Sequence, residues 1–225
     1  VLERIPPLDA EAMAQAKQHW DALAKPLHGL GDLEDILIRI AGICRTPRID
    51  LRNKAVVVMC ADNGVVAEGI SQSGQDVTQI ITENLSKGTS TVCHMARAAG
   101  ADVIPVDIGV ASDIHGSGVV HRKIARGTHN FAKQPAMSRD QAVQAIGVGI
   151  ETALLCRQHG YDVVATGEMG IGNTTSTAAV TAALLHAPVE LVTGRGSGLT
   201  SEGLQRKIQV VTRALEQWQP NQHAP

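Results

Sequence analysis

Residues 55–60 read Ala-Val-Val-Val-Met-Cys, an apolar run with no polar position inside it. A strand with one wet face alternates apolar and polar residues, so this run suits a strand covered on both faces, as in a parallel sheet. The pattern then repeats. Residues 76–98 have helical spacing and residues 102–108 read as a second strand. Ser138-Arg139-Asp140-Gln141 opens a helix in capping-box fashion that runs to His159, and residues 162–165 form a third strand. Residues 189–192 are expected as a short fourth strand, and Thr200 or Ser201 caps a last helix through Trp218, before a Pro220-Asn221-Gln222 tail. Repeated strand–helix units predict an α/β fold: a doubly wound, mainly parallel sheet with helices on both faces.

The first segment reads differently. Met13, Ala16, Trp20 and Leu23 recur at helical spacing over residues 9–25, which end at Pro26. Asp32 is placed to cap a second helix bearing Leu33, Ile36, Leu37 and Ile40, with Glu34 and Asp35 favouring its start. Thr46-Pro47-Arg48 reads as a linker. The expected division is therefore a helical segment over residues 1–46 and a Rossmann-like nucleotide-binding domain over residues 47–225. Ligands of such sheets gather at the carboxyl ends of the strands. The loops at those ends are 61–75, 109–118, 167–175 and 193–200. Residues 109–137 carry few helical or strand signals, and a stretch this long is often functional.

Composition narrows the ligand class. Trp20, Phe131, Tyr161 and Trp218 are the only aromatic residues, and the formal net charge is −2 without a Lys/Arg block. Both facts argue against nucleic-acid binding, which needs stacking platforms or a basic face. No apolar run is long enough for a membrane span. The opening Val-Leu-Glu-Arg-Ile-Pro-Pro has no basic region followed by an apolar segment, so no secretory signal is expected. Cys44, Cys60, Cys93 and Cys156 lie far apart and read as free thiols, which places the protein in the cytoplasm. His115, His121 and His129 lack the spacing of a helical zinc pair, and no metal or cofactor is expected.

The chemistry concentrates in Gly167-Glu168-Met169-Gly170-Ile171-Gly172-Asn173-Thr174-Thr175, which joins a strand to a helix. A glycine turn there offers backbone N–H groups and the positive helix end to an anion, and Asn173, Thr174, Thr175 and Ser176 add polar side chains. The bland alternative is a tight turn with a polar cap. No Gly-Lys-Ser/Thr ends the motif, and its glycines lack the dinucleotide GxGxxG spacing. Glu168 is either a carboxylate of the site or a turn residue pairing with Lys207 or Arg195. Gly194-Arg195-Gly196-Ser197-Gly198 is either a surface turn or a second clamp on the same phosphate, with Lys207 adding a cation. Asp62, in Cys60-Ala61-Asp62-Asn63-Gly64-Val65, either caps the next element or touches a ribose hydroxyl or ring nitrogen.

These stretches, together with Gly29-Leu30-Gly31-Asp32-Leu33-Glu34, Arg126-Gly127-Thr128 and Pro135-Ala136-Met137-Ser138, resemble the nicotinate-nucleotide:5,6-dimethylbenzimidazole phosphoribosyltransferases of cobalamin synthesis. The resemblance covers nearly the whole chain. It implies that the 5′-phosphoribosyl group of nicotinate mononucleotide moves to a benzimidazole nitrogen, releasing nicotinate and giving α-ribazole phosphate. The donor's pyridinium nitrogen leaves as a neutral base, so the transfer needs little electrophilic help, whereas a pyrophosphate leaving group ordinarily needs Mg²⁺. The resemblance implies Gly170, Gly172, Asn173, Thr174, Thr175, Gly194, Gly196 and Lys207 around the phosphate and nucleotide. It makes Glu168 a supporting carboxylate, and places Asp62, Ser73 and Ile81 at the acceptor-base pocket, where Ile81 stands in place of a family glutamine. The family's principal general base, in a Gly-Glu-Gly segment, is expected beyond Pro225, in a part that also completes the small helical domain begun by residues 1–46. A homodimer is implied, with residues 76–98 and 138–159 as candidate surfaces. Two rivals stand beside this reading: a transferase using phosphoribosyl pyrophosphate, and a nucleotide-binding fragment or module without catalysis.

Overall fold

The computed structural model describes residues 5–220; the first four residues and the tail from Asn221 lie outside it. The chain divides between Arg52 and Asn53 into two compact units. In the first, α1 (Ala10–Asp21) and α2 (Asp32–Cys44) pack on each other. Asp9 caps α1 by accepting the Ala12 amide at 3.0 Å. The α2 cap differs from expectation: Gly31 holds the N-cap position and Asp32 is the first helical residue. The buried Glu34 takes the capping work, accepting the Leu30 amide at 2.9 Å and pairing with Lys25 at 2.8 Å. The Lys25 ammonium and the Leu30 amide hold the Glu34 carboxyl below its ordinary range.

The second unit is a four-stranded parallel sheet of order β3-β2-β1-β4, formed by β1 (Lys54–Ala61), β2 (Ala101–Gly109), β3 (Val120–His121) and β4 (Val163–Met169). One face is covered by α3 (Asp76–Ser86) and α4 (Thr91–Ala98), which bury Val58, Cys60, Leu85 and Cys93 together. The opposite face is covered by α5 (Arg139–Gln158), through Val57, Val106 and Cys156 with Val148 and Tyr161 beside them. Both faces of β1 are thus apolar contacts, which is why its run shows no alternation. Burial pushes the Cys60 thiol up to about 11 and raises Cys156 as well, so neither is a thiolate at neutral pH. The Ser138 capping box on α5 is present in both directions, with Gln141 returning a bond to the Ser138 amide.

Three local expectations change. The helix expected over residues 76–98 is two helices, broken where Gly88 adopts φ +70°. Residues 189–192 are not a strand but a single helical turn, α7 (Val189–Val192), entered through Pro188 at φ −54° and closed by Leu191 N donating to Pro188 O at 3.0 Å. Finally, β4 runs four residues past its expected end. Its ladder pairs Met59 with Glu168 and Cys60 with Met169, so Gly167, Glu168 and Met169 are strand and the turn shrinks to residues 170–172. Behind it come α6 (Asn173–Leu185) and α8 (Ser201–Trp218).

Candidate functional site

The turn at 170–172 is glycine-rich because it lies against the loop after β1. A Cβ on Gly170 would sit 1.8 Å from Ala61 O, and one on Gly172 would meet Val66 Cγ2 at 2.8 Å and Asn63 Cβ at 3.1 Å. Gly172 also adopts φ +90°, a conformation side chains rarely take. Asn63 pins the other side: its Oδ1 accepts the Ser176 hydroxyl at 2.8 Å while its Nδ2 donates to Ala61 O at 3.3 Å. From α3, Thr78 Oγ1 accepts the Ile171 amide at 3.0 Å.

With the turn held, α6 starts beside α8 and the 193–199 loop. Lys207 on α8 is 1 % exposed, and its Nζ donates to Thr174 Oγ1 at 2.7 Å and to Gly194 O at 3.1 Å. Burial lowers its pKa from the usual lysine value. An ammonium has three N–H donors, so one remains for a ligand. Arg195 fixes the loop from within, donating to Leu199 O at 2.8 Å and to Ser201 Oγ at 3.1 Å, while Thr200 caps α8 through the Gly203 amide. Gly196, at φ +56°, lies so close that a Cβ there would be 3.0 Å from Thr174 Oγ1 and 3.7 Å from Lys207 Nζ. The structure therefore brings Thr174, Gly194, Gly196 and Lys207 to one point.

The α6 amides are arranged differently from a free cradle. Asn173 N donates to Gly170 O, Thr174 N to Asn173 Oδ1, and both Thr175 N and Ser176 N to Gly172 O. Among the described residues no protein acceptor takes the amides of Gly196 and Ser197. The Gly172 amide at the start of α6 likewise has no protein acceptor among them, so both loops present open backbone donors, and α6 adds the Thr174 hydroxyl and its positive end. Thr175 is fully buried behind the turn, and its Oγ1 has no hydrogen-bond partner among the described residues.

Glu168 is exposed at the end of β4, where its Oε1 accepts the Thr177 hydroxyl at 3.2 Å. It pairs with neither Lys207 nor Arg195, whose partners are given above. Glu168 and Ile81 line one cleft of about 560 Å³, with Val58, Asn84, Val92 and Met169 as further walls. Ser73 and Asp62 do not line it. Ser73 sits in a turn, its amide donating to Ser71 Oγ at 3.1 Å. Asp62 is 1 % exposed and turned inward: Oδ2 accepts the Ala111 amide at 2.8 Å, and its backbone bonds Gly109 O and Thr128 N. It acts as a tie between three loops. Asp107 and Lys123 do the same beside it, Asp107 Oδ1 accepting Val110 N at 2.9 Å and Lys123 Nζ bonding Val110 O and Ser112 O, each at 2.6 Å.

Sequence reasoning missed Asn63, Thr78 and Thr177. Asn63 was visible as the residue after Asp62 in a strand-end loop. Thr78 and Thr82 were visible as two polar residues four apart on the otherwise apolar face of α3, both fully buried. Among the described residues no group of three or more His, Cys, Asp or Glu is placed to hold a metal ion, and no helix is long and apolar enough to cross a membrane.

A parallel α/β sheet with a lysine, a threonine and a glycine loop converging beyond its strand ends has the form of a phosphate-binding nucleotide domain. The family profile described as phosphoribosyltransferase matches residues 5–225, and the chain belongs to that family. It is 45% identical over 221 residues to the nicotinate-nucleotide–dimethylbenzimidazole phosphoribosyltransferase of Alkaliphilus metalliredigens, covering 98% of this chain and 63% of that protein. With the protein of the same description from Chloroflexus aggregans the identity is 48%, with the same coverage. The crystal structure of CobT from Thermus thermophilus superposes with a TM-score of 0.89 at 42% identity, over 94% of this chain and 64% of that one. The chain thus spans slightly under two thirds of the length of these relatives.

Proposed function

We propose that this chain carries the donor-binding part of an enzyme that transfers the 5-phosphoribosyl group of nicotinate mononucleotide to a nitrogen of 5,6-dimethylbenzimidazole or a similar aromatic base. The observation that carries the reading is the meeting of Lys207, Thr174 and the 194–197 loop at the start of α6. A phosphate monoester dianion there receives the spare Lys207 N–H, the Thr174 hydroxyl and the Gly196 and Ser197 amides. Held at its phosphate, the nucleotide points its ribose toward the end of β4, where Glu168 offers a carboxylate to the sugar or to the acceptor. The bond from C1′ to the pyridinium nitrogen breaks with its electron pair going to nicotinate, and the bond from C1′ to the acceptor nitrogen forms. The acceptor's N–H proton leaves to a general base, for which this reading expects a glutamate beyond Pro225. Asp62 acts as a loop tie, and Ile81 gives the acceptor wall an apolar contact in place of a hydrogen bond.

The same reading makes the protein a cytoplasmic homodimer that acts on small molecules and binds no nucleic acid. Free cysteines accord with a reducing compartment. Val143, Ile146, Ile150 and Leu154 stand exposed along α5 and Ile80 and Met95 on α3 and α4, which supports a self-association surface. Incubation with nicotinate mononucleotide and dimethylbenzimidazole, followed by chromatography, tests the transfer. Formation of α-ribazole phosphate and nicotinate in equal amounts supports it. Nucleotide binding with no product reduces the chain to a binding module, and pyrophosphate release from phosphoribosyl pyrophosphate would favour the rival transferase.

A further inference from the structure

We propose that Thr78 is a positioning residue for the phosphate site, acting through the Ile171 amide. The proposal rests on the reading above for its functional arm only. Thr78 sits in the first half of α3, is 0 % exposed, and is not among the residues expected around the phosphate. Its hydroxyl oxygen accepts the N–H of Ile171 at 3.0 Å, across 93 residues of sequence. Ile171 is the middle residue of the three-residue turn, between glycines that have no side chains with which to hold themselves. On the opposite side the turn rests on Ala61 O, Asn63 and Val66, and its own carbonyls accept bonds from the start of α6.

A turn of this kind has few other restraints. Its two glycines give the backbone wide freedom, so the position of α6 is set by what grips the segment between them. Asn63 grips α6 one turn later, at Ser176, and Thr78 grips the turn itself. The Thr174 hydroxyl lies only three residues beyond Ile171 and must stay 2.7 Å from Lys207 Nζ. Removing the Thr78 oxygen orphans a part-buried amide, which then seeks water by rotating the turn. That rotation moves Thr174 away from Lys207 while leaving every expected ligand contact chemically intact. Thr78 is rigidly placed for this work: it is β-branched, buried, and its carbonyl accepts the Thr82 hydroxyl at 2.7 Å one turn along.

Thr78→Val keeps the shape and removes the acceptor; Thr78→Ser keeps the acceptor. Amide exchange at Ile171 is measured in the 225-residue chain, with the Val106 amide in the central sheet as the reference for global opening. Calorimetry with nicotinate mononucleotide is run on the same samples. In Thr78→Val, exchange at Ile171 is expected to accelerate about tenfold more than at Val106, and nucleotide affinity to fall about tenfold, with Thr78→Ser within about twofold of the parent on both. Unchanged exchange at Ile171 overturns the proposal. Faster exchange with unchanged affinity also overturns it, because Thr78 is then a packing residue only. If the parent chain binds no nucleotide, the proposed function fails, and the exchange arm alone decides whether Thr78 holds the turn.

Discussion

Replacing Lys207 by methionine separates a binding lysine from a structural one, because the two roles predict opposite outcomes. Methionine matches the lysine stem in volume and removes the ammonium. On the binding side, the loss is one charge-assisted hydrogen bond to a phosphate, about 1.5–3 kcal/mol, plus part of a Coulomb attraction of about 4 kcal/mol at 4 Å and an effective dielectric of 20. A combined loss of about 3 kcal/mol raises the dissociation constant of nicotinate mononucleotide roughly 100-fold. On the folding side the terms oppose each other. The bonds to Thr174 Oγ1 and Gly194 O disappear, but both residues are exposed and their oxygens can turn to water. Relief from burying an ammonium that is 1 % exposed offsets that loss, so net stability changes by less than about 1 kcal/mol and the melting temperature by less than about 4 °C. The pH dependence follows with its sign. Burial lowers the Lys207 pKa, so the folded state holds fewer protons than the unfolded state between that lowered value and 10.5. Stability rises with pH across this window, while phosphate affinity falls as the ammonium loses its proton. Calorimetry across alkaline pH and a thermal melt read both. A variant that melts far lower yet binds the nucleotide normally would refute the assignment of Lys207 to the site.

Gly170→Ala is expected to displace the turn or to lower stability by about 1–3 kcal/mol, since its Cβ would lie 1.8 Å from Ala61 O; a melt within 1 °C of the parent contradicts the packing argument. Asp62→Ala removes a buried acceptor from the Ala111 amide and is expected to cost about 1–3 kcal/mol in urea unfolding without altering nucleotide affinity in the folded protein. A selective loss of acceptor-base binding would return Asp62 to the pocket. Tyr161 is the chain's one tyrosine, so its phenolate absorbance reports a single group. Its hydroxyl donates to Asp102 at 2.7 Å, and that bond, with burial and the Asp102 charge, pushes its pKa up to about 12. The folded chain should therefore titrate about two units above the urea-unfolded chain, whose midpoint lies near 10; the associated stability is present below pH ~10 and lost as pH rises toward 12. A folded midpoint near 10 removes the Tyr161–Asp102 bond from the account.

The sheet was legible because its signals are local and redundant. The Val56–Val58 run, the Ser138–Gln141 capping box and the Thr200 cap each state their structure within a few residues, and all three stand in the fold. Where two local signals competed, the reading slipped. Gly88 breaks a helix that its apolar neighbours would continue, and Pro188 closes a turn where Val189 and Val192 favour a strand. Gly167 looked like the first residue of a turn, yet pairing with β1 carries it into the ladder, a tertiary effect that no window of sequence contains. The site divides in the same way. That Lys207 meets the loop carrying Gly196 was readable from residue type and order. For Asp62, only the fold shows that one carboxylate oxygen ties down the Ala111 amide, while the other is buried without a partner among the described residues. Thr78 lies 93 residues from Ile171, and a hydrogen bond over that distance leaves no trace in either local pattern.

The central claim is that Lys207, Thr174 and the 194–197 loop hold the phosphate of a nucleotide. Titrating the chain by calorimetry with nicotinate mononucleotide and with nicotinate riboside, which differ only in that phosphate, tests it most directly. The account predicts that the mononucleotide binds at least about 100-fold more tightly. Equal affinity for the two would contradict it.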